Sequence, residues 1–241
     1  MRWQAARIRA LAQIVQGDTV LDLGAGNGEI AAELALRGAA VTAVEGRAEN
    51  AAEIRALRDR RRIRKSLLEV LVSDVRELNW DVLGTFDVVV CSGLLYHLPL
   101  PDALDLARRM RAACQRMTVI DTEVAWGPLV AQEAGGRRYA GLRFRERPGR
   151  LSALDDQDSF WLTRASLHAL LHDAGFASSW ELGSPGQPRR EERATLVAYV
   201  GERVDRLELD PERTLPDPRP VEPAPSRLMR ARLAVARLRR R

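Results

Sequence analysis

The sequence predicts an α/β fold with a doubly wound parallel β-sheet that carries helices on both faces. Strand-like apolar runs alternate with helical patterns from Thr19 onward, which is the order of strand–helix units in a parallel sheet. Most of the runs are continuously apolar, as expected for strands that are buried on both faces. A loop with three glycines follows the first run, at the position where such sheets bind ligands.

Seven strand-like runs and four helical segments account for the predicted sheet. The runs are TVLDL (19–23), AAVTAVE (39–45), LLEVLVSD (67–74), FDVVVCSG (86–93), MTVIDTEV (117–124), ASSWEL (177–182) and ATLVAYVGE (194–202). The predicted helices are Glu29–Arg37, Ala48–Arg61, Asp102–Cys114 and Arg164–Ala174, with Thr163 as N-cap of the last.

Four further segments complete the predicted organisation. Residues 1–205 are predicted to form one domain, which begins with a short amphipathic helix at 3–16. The stretch 125–160 lacks clean periodicity, so we expect a long functional loop on the ligand side, with a hairpin in RRYAGLRFRER that turns near Gly141. Residues 206–226 are a Pro-rich linker and residues 227–241 a basic tail.

Composition narrows the class of protein only modestly. The net charge of +5 and pI of about 9.9 admit nucleic acid or anionic membrane as partners without establishing either. Two cysteines, Cys91 and Cys114, do not make a secreted disulfide framework. No signal peptide or apolar run long enough for a bilayer is evident, so we expect a cytoplasmic protein.

The glycine loop favours a ligand without phosphates. Its pattern is D-x-G-x-G-x-G, formed by Asp22, Gly24, Gly26 and Gly28. The dinucleotide fingerprint G-x-G-x-x-G would place its third glycine at Glu29. A carboxylate at the helix start opposes a pyrophosphate by charge.

Two acidic residues extend this interpretation. Glu45 ends the second strand, where a carboxylate can accept hydrogen bonds from both ribose hydroxyls. Asp74 ends the third strand, where it could accept one from an adenine amino group. A nucleoside held by acidic groups without a phosphate indicates S-adenosylmethionine.

The motifs VLDLGAGNG, VTAVEGR, VSDV and FDVVVCSGLLYHL, in this order, resemble those of class I S-adenosylmethionine-dependent methyltransferases over residues 15–205. The resemblance implies a Rossmann-like, seven-stranded, mostly parallel sheet whose last strand is antiparallel. It also implies the cofactor contacts: Asp22 and Gly24 at the methionine end, Gly26 beneath the cofactor, Gly28 in the same loop, Glu45 on the ribose, Asp74 and the Val75 backbone at the adenine, and Ser92 and Gly93 on the methionine and acceptor side.

Candidate catalytic residues follow the fourth and fifth strands. His97 could act as a base for an oxygen acceptor, or it could be a scaffold residue that fixes its loop. Tyr96 and Glu123 are further candidates. Asp121 and Glu123 alternate on one strand and so share a face. They could bind an amine, a hydroxyl or a metal, or Asp121 could end the strand while Glu123 pairs with an arginine of the long loop.

Other notable residues have more ordinary interpretations. His168 and His172 are one helical turn apart, but a third ligand is not evident, so no metal site is predicted. Phe160 and Trp161 are expected to pack in the core. Four arginines of the long loop could grip a phosphate or carboxylate or could simply be solvated: Arg137, Arg138, Arg143 and Arg145.

The main functional hypothesis is O-methylation of a small-molecule or sugar-bearing acceptor. YHLPLPDAL and FWLTRASLHALLHDAGF also resemble the enzymes that finish modified wobble uridines in tRNA, so methyl or carboxymethyl transfer to tRNA is an alternative. A non-catalytic cofactor-binding scaffold and a nucleotide oxidoreductase are others. The tail could be a disordered segment, a nucleic-acid arm or an amphipathic helix on an anionic membrane.

Overall fold

A seven-stranded sheet forms the centre of the computed structural model, which describes residues 14, 16–146, 153–154, 158–182 and 192–201. The strands of this sheet are β1 (Thr19–Leu23), β2 (Ala40–Glu45), β3 (Leu68–Val72), β4 (Phe86–Ser92), β5 (Cys114–Glu123), β9 (Ser178–Glu181) and β10 (Arg193–Tyr199). Their spatial order is β3-β2-β1-β4-β5-β10-β9. Strands β1 to β5 pair in parallel, and β10 is antiparallel to both of its neighbours. The predicted sheet is therefore confirmed, including the antiparallel last strand.

Helices cover both faces of this sheet, and the buried apolar side chains form two core clusters. They are α1 (Glu29–Leu36), α2 (Ala48–Arg60), α3 (Trp80–Leu83), α4 (Leu100–Ala113) and α5 (Arg164–Asp173), with a 3-10 turn at Leu95–His97. Helix α4 begins two residues before its predicted start, with Pro101 in its first turn, where the missing amide proton costs no intrahelical bond. The Thr163 hydroxyl caps α5 by accepting from the Ser166 amide at 3.1 Å. No helix in the described part of the chain is long and apolar enough to span a bilayer.

The expectation of an irregular loop at 125–160 was wrong. A second sheet, with strand order β6-β7-β8, consists of Val130–Ala134, Arg137–Arg145 and Asp158–Leu162. The turn near Gly141 was also wrong, because Gly141 lies inside β7 and pairs with Val130 and Leu162. The hairpin turns at Gly135 and Gly136, whose φ angles of 57° and 77° suit glycine.

This small sheet lies against the turn that follows β4. The Phe160 amide donates to the Leu98 carbonyl at 3.0 Å, and the Ala125 amide donates to the Leu162 carbonyl at 2.9 Å. These bonds fix strand β8 near the carboxyl ends of β4 and β5. The predicted helix at 3–16, apart from Ile14 and Gln16, and the linker and tail lie outside the described residues.

Candidate active site

A cavity of about 520 Å³ opens at the carboxyl ends of the parallel strands. Strand order reverses between β1 and β4, and a doubly wound sheet binds its ligands at that point. The volume is within the range of small-molecule sites. Eight of the nine predicted cofactor residues line the cavity: Asp22, Gly24, Gly26, Glu45, Asp74, Val75, Ser92 and Gly93.

The ninth residue, Gly28, does not line the cavity and has a packing role. It precedes α1 with φ at 75°, and a Cβ there would stand 2.8 Å from two side-chain carbons of Ile54 on α2. Gly26 differs, because a Cβ there would have no neighbour nearer than the Gly24 carbonyl at 3.9 Å. Gly26 also lines the cavity, so its lack of a side chain keeps space open for a ligand.

Glu45 is buried at the end of β2, with 6% of its surface exposed. One carboxylate oxygen accepts from the Gly26 amide at 2.8 Å. The other accepts from the Arg47 amide at 3.0 Å and from the Asn50 side chain at 3.2 Å. The carboxylate thus ties the glycine loop to the start of α2 and faces the same cavity.

Asp74 is held ionised at the neighbouring strand end. Burial alone would raise its pKa, but hydrogen bonds and charge from Arg76 outweigh burial and leave the pKa below its usual 3.8. The Arg76 guanidinium contacts both carboxylate oxygens, at 3.0 Å from Nε and 2.5 Å from Nη2. A charged acceptor at this position suits the amino group of a purine.

His97 forms a buried pair that the sequence did not reveal. Its Nδ1 lies 2.6 Å from Oε1 of Glu146, the residue after β7, and the two side chains are 13% and 6% exposed. Because an ionised carboxylate only accepts, the pair favours a proton on Nδ1 and leaves Nε2 of the neutral ring as the acceptor. His97 lines the cavity.

Tyr96 adjoins His97, with ring centroids 4.1 Å apart. Burial raises the pKa of Tyr96, and the nearby Arg193 guanidinium offsets this rise only in part. The phenol therefore stays protonated near neutral pH, which suits a hydrogen-bond donor better than a base.

Arg193, at the start of β10, is a second residue that the sequence did not single out. Its guanidinium contacts Asp121 at 2.5 Å and Glu123 at 2.8 Å, and lies 5.7 Å from the centre of the Tyr96 ring. One of the two alternatives for Glu123 was a pairing with an arginine of the long loop; the arginine that the structure places against it is Arg193, which the antiparallel register sets directly opposite. Arg193 also lines the cavity.

The remaining candidates lie elsewhere. His168 contacts Ser179 at 2.6 Å, and His172 is mostly exposed. In the described ranges no three His, Cys, Asp or Glu side chains are placed to hold a metal ion. Phe160 and Trp161 are buried, as expected. None of the four long-loop arginines lines the cavity; all four are exposed, and Arg137 pairs with Asp173.

These features fit S-adenosylmethionine. Two carboxylates, at or just after the ends of adjacent strands, line the cavity where contacts to ribose and adenine were expected, and the backbone at Gly26 leaves space that a Cβ would fill. The first residue of α1, directly after the glycine loop, is Glu29, whose carboxylate pairs with Arg61 at 2.5 Å. A helix start that binds a phosphate would not favour a negative charge at this position.

Comparison with known proteins agrees with this geometry. Residues 20–116 match the family described as methyltransferase domain. Over 89 residues the chain is 39% identical to a ubiquinone biosynthesis O-methyltransferase of Azotobacter vinelandii. That match covers 35% of this chain and 35% of the relative, so the matched segment spans about a third of the length of this curated relative.

Solved structures extend the likeness over most of the chain. The N-terminal domain of EvdMO1 with S-adenosylhomocysteine (SAH) bound has a TM-score of 0.67 and 27% identity, and the match covers 81% of this chain and 79% of that one. The same domain in the presence of SAH and D-fucose gives the same score and identity, over 81% of each chain. Magnesium protoporphyrin IX methyltransferase of Synechocystis PCC 6803 with bound S-adenosylmethionine shares the fold, with a TM-score of 0.56 at 18% identity over 82% of this chain and 79% of that one.

The match over residues 20–116, the fold and the cavity together indicate a methyltransferase domain in this part of the chain. The likeness to a domain with SAH bound supports S-adenosylmethionine as its cofactor.

Proposed function

We propose that this protein transfers a methyl group from S-adenosylmethionine to a hydroxyl oxygen of a small-molecule or sugar-bearing acceptor. The observation that carries the proposal is the buried His97–Glu146 pair, 2.6 Å apart, on the wall of the cofactor cavity. The cofactor supplies a methyl group already activated on a sulfonium, so the protein's task is to orient the acceptor and take up its proton.

His97 would remove that proton. With Nδ1 directed at Glu146, the lone pair of Nε2 is available to the acceptor hydroxyl. As the oxygen–methyl bond forms and the sulfur–methyl bond breaks, the hydroxyl proton passes to Nε2, and the Glu146 carboxylate stabilises the imidazolium. A positioned base of this kind contributes roughly 10²–10⁴-fold to rate.

The other polar groups of the cavity suit an acceptor with several hydroxyls. Tyr96 offers a donor beside His97, and Arg193 brings a guanidinium to the same wall. Carboxylate, guanidinium and aromatic groups together can bind a sugar ring through hydrogen bonds and stacking. Support comes from the 27% identical domain studied with SAH and D-fucose and from the name of the O-methyltransferase relative.

No comparable structural observation supports the two alternative functions, methyl transfer to tRNA and a non-catalytic scaffold. Transfer to tRNA rests on two sequence runs, and the tail that could contact RNA lies outside the described residues. A non-catalytic scaffold has no need for a buried histidine–carboxylate pair beside the cofactor cavity. Both become outcomes of the test below.

The test combines cofactor binding with turnover. Calorimetry should show S-adenosylmethionine binding to wild type and at least about tenfold weaker binding to Glu45→Ala, since a hydrogen bond to a charged group is worth about 1.5–3 kcal/mol. Release of SAH is then measured with deoxyhexoses, sugar-bearing metabolites, phenols and total tRNA. Turnover with a hydroxyl acceptor, reduced at least about a hundredfold in His97→Gln, supports the proposal.

Each failure has a distinct meaning. Absence of binding heat together with absence of competition by SAH would overturn the cofactor site. Binding without turnover on any acceptor indicates a scaffold, and turnover on tRNA alone indicates the RNA alternative. Full activity in His97→Gln would remove His97 as the base. Glu133→Gln, an exposed carboxylate on β6, is the matched control and should behave as wild type.

A further inference from the structure

A continuous line of contacts joins the two ends of the cavity. At one end the Arg47 amide donates to Glu45, the carboxylate placed for the ribose, at 3.0 Å. The Arg47 guanidinium reaches across and donates to the Ala153 carbonyl at 3.1 Å. Ala153 in turn donates its amide to Glu146 at 2.9 Å.

Glu146 closes the line at the other end. Its Oε2 accepts from Ala153, and its Oε1 is the atom that holds Nδ1 of His97. The carboxylate is buried, so its orientation depends on these few partners. Two contacts of this line join distant parts of the chain, because Arg47 and Ala153 are 106 residues apart and His97 and Glu146 are 49 apart.

The packing of Leu154 supports the same connection independently. A Cβ on Gly46 would stand 2.4 Å from Cδ1 of Leu154, so the leucine occupies the space that a side chain at position 46 would need. Leu154 and Ala153 both line the cavity. Residues 153–154 therefore pack against the end of β2, and the hydrogen bond from Arg47 to Ala153 holds them there.

We propose that Arg47 is a positioning residue that fixes His97 in its base-competent tautomer by holding Ala153 against Glu146, and so links the ribose end of the site to the acceptor end. This inference rests on the proposed role of His97. If the guanidinium is removed, Ala153 loses the hydrogen bond that ties it to Arg47. Its amide is then held less firmly against Glu146, and the imidazole is less strictly held with its proton on Nδ1. The Arg47 amide remains on Glu45, so cofactor affinity should change little.

The tautomer of His97 is a direct readout that needs no acceptor. The chain contains only three histidines, so long-range proton–nitrogen NMR spectra resolve each imidazole, and His168→Gln and His172→Gln assign the other two. In wild type near neutral pH, His97 should show the proton on Nδ1. Arg47→Met keeps the aliphatic stem but removes the donors, and should give a mixture of tautomers. Arg47→Lys should restore the wild-type spectrum in part.

Controls separate positioning from loss of folding. Arg55→Met removes a comparable bond from a guanidinium to a carbonyl, that of Val70 at 3.0 Å, and should leave the His97 signal unchanged. If Arg47→Met fails to fold, Gly46→Ala displaces Leu154 without altering the Arg47 side chain and should produce the same mixture.

Kinetics with a working acceptor add a second test. Arg47→Met should lower kcat about tenfold, the value of one hydrogen bond, while the Kd for S-adenosylmethionine stays within about threefold. Combined with Glu146→Met, which removes both acceptor oxygens, it should cause no further loss, since two residues on one path are not additive.

The possible failures can be told apart. An unchanged His97 signal in Arg47→Met and Gly46→Ala, with an altered one in Glu146→Met, would overturn this inference and leave the proposed function standing. Glu146→Met removes the acceptor that faces Nδ1, so an unchanged signal in this variant would remove the His97–Glu146 pair itself, and with it both proposals. Fully additive losses in kcat would also overturn the positioning role.

Discussion

Arg193 and Asp121 form a charge pair across neighbouring antiparallel strands, with the guanidinium Nε 2.5 Å from the carboxylate Oδ1. Asp121 is 1% exposed, and its other oxygen accepts from the Thr195 hydroxyl at 2.7 Å. Burial alone would lower the pKa of Arg193, but the charge and hydrogen bonding of Asp121 raise it above its usual value. The guanidinium of Arg193 therefore remains charged at the edge of the active-site cavity.

The first prediction concerns this pair. Arg193→Met should lower the free energy of unfolding by about 3–5 kcal/mol, because it leaves a buried carboxylate uncompensated. The double variant Arg193→Met/Asp121→Asn should recover a large part of that loss. Urea denaturation at neutral pH measures both values.

The matched control for this prediction is Arg109→Met, which removes an exposed helical pair with Asp105. That pair should be worth less than about 1 kcal/mol. If Arg193→Met costs no more than Arg109→Met, or if the double variant recovers nothing, the pair does not stabilise the fold in the way described.

The second prediction separates two glycines of the same loop. Gly26→Ala and Gly28→Ala share a left-handed backbone, with φ at 58° and 75°, which costs an alanine about 1 kcal/mol. At Gly28 the new Cβ also meets Ile54 at 2.8 Å, an overpacking that adds about 1–3 kcal/mol. Gly28→Ala should therefore be the less stable protein, while Gly26→Ala, whose Cβ would extend into the cavity, should lose at least about tenfold in cofactor affinity.

Thermal denaturation and calorimetric titration of S-adenosylmethionine measure these two effects. Gly17→Ala is the control for backbone strain alone, since Gly17 has φ at 90° and a Cβ there would meet nothing within 4 Å. It should match Gly26→Ala in stability and wild type in binding. Equal cofactor affinities in Gly26→Ala and Gly17→Ala would contradict the ligand-side position of Gly26.

The contrast between the two sheets shows what the sequence could predict. The seven-stranded sheet was predictable because its central strands are buried on both faces and read as continuous apolar runs. Strand β6 carries exposed residues along most of its length, and β7 mixes exposed arginines with buried Tyr139 and Gly141. Such a pattern resembles an irregular basic loop, so the second sheet was missed.

A similar physical difference separates the site residues that the sequence could predict from those that it could not. Glu45 and Asp74 end their strands, and strand ends of a parallel sheet meet at one edge, so their convergence follows from order in the chain. Glu146 and Arg193 act through partners 49 and 72 residues away. Each is one charged residue in an arginine- and glutamate-rich run, and nothing in such a run specifies a distant partner.

The third prediction uses Tyr139 and Asp173, which join the second sheet to α5. Burial raises the pKa of Tyr139 to about 12, with the hydrogen bond to Asp173 as a further cause, and its hydroxyl lies 2.6 Å from Asp173. Since the folded pKa is above the ordinary value of 10, this contribution to stability is complete below pH 10 and is lost as pH rises towards about 12. For Asp173, burial alone would raise the pKa, but Tyr139 and Arg137 lower it, so its contribution is complete above pH 3.8 and is lost as pH falls through the folded pKa.

Tyr139→Phe should therefore flatten the alkaline loss of stability and weaken the acid one, with a cost near neutral pH of about 1.5–3 kcal/mol for a hydrogen bond to a charged group. Urea denaturation across both pH ranges measures this. Tyr199→Phe, on β10, should retain the pH dependence of wild type. A Tyr139→Phe protein that still loses stability between pH 10 and 12 as steeply as wild type would show that another group is responsible.

The fourth prediction concerns Asp74 and cofactor affinity at low pH. Two opposing effects act on this carboxyl. Burial raises its pKa, and Arg76 lowers the pKa by more than burial raises it. In wild type, Asp74 therefore stays ionised to a lower pH than an ordinary aspartate. The charged carboxylate can accept a hydrogen bond from the adenine amino group over that range. In Arg76→Met the backbone amide of residue 76 still donates to Asp74, but the side-chain hydrogen bonds and the charge of Arg76 are lost, so the pKa of Asp74 should rise from its wild-type value. As the pH falls from neutral, affinity for S-adenosylmethionine should then begin to decrease at a higher pH in Arg76→Met than in wild type, while the two proteins differ little at pH 7.5. Calorimetric titration at several pH values, with Asp74→Asn as the variant that cannot titrate, gives the comparison. If Arg76→Met and wild type show parallel affinity curves, Asp74 does not contact the adenine in its charged form.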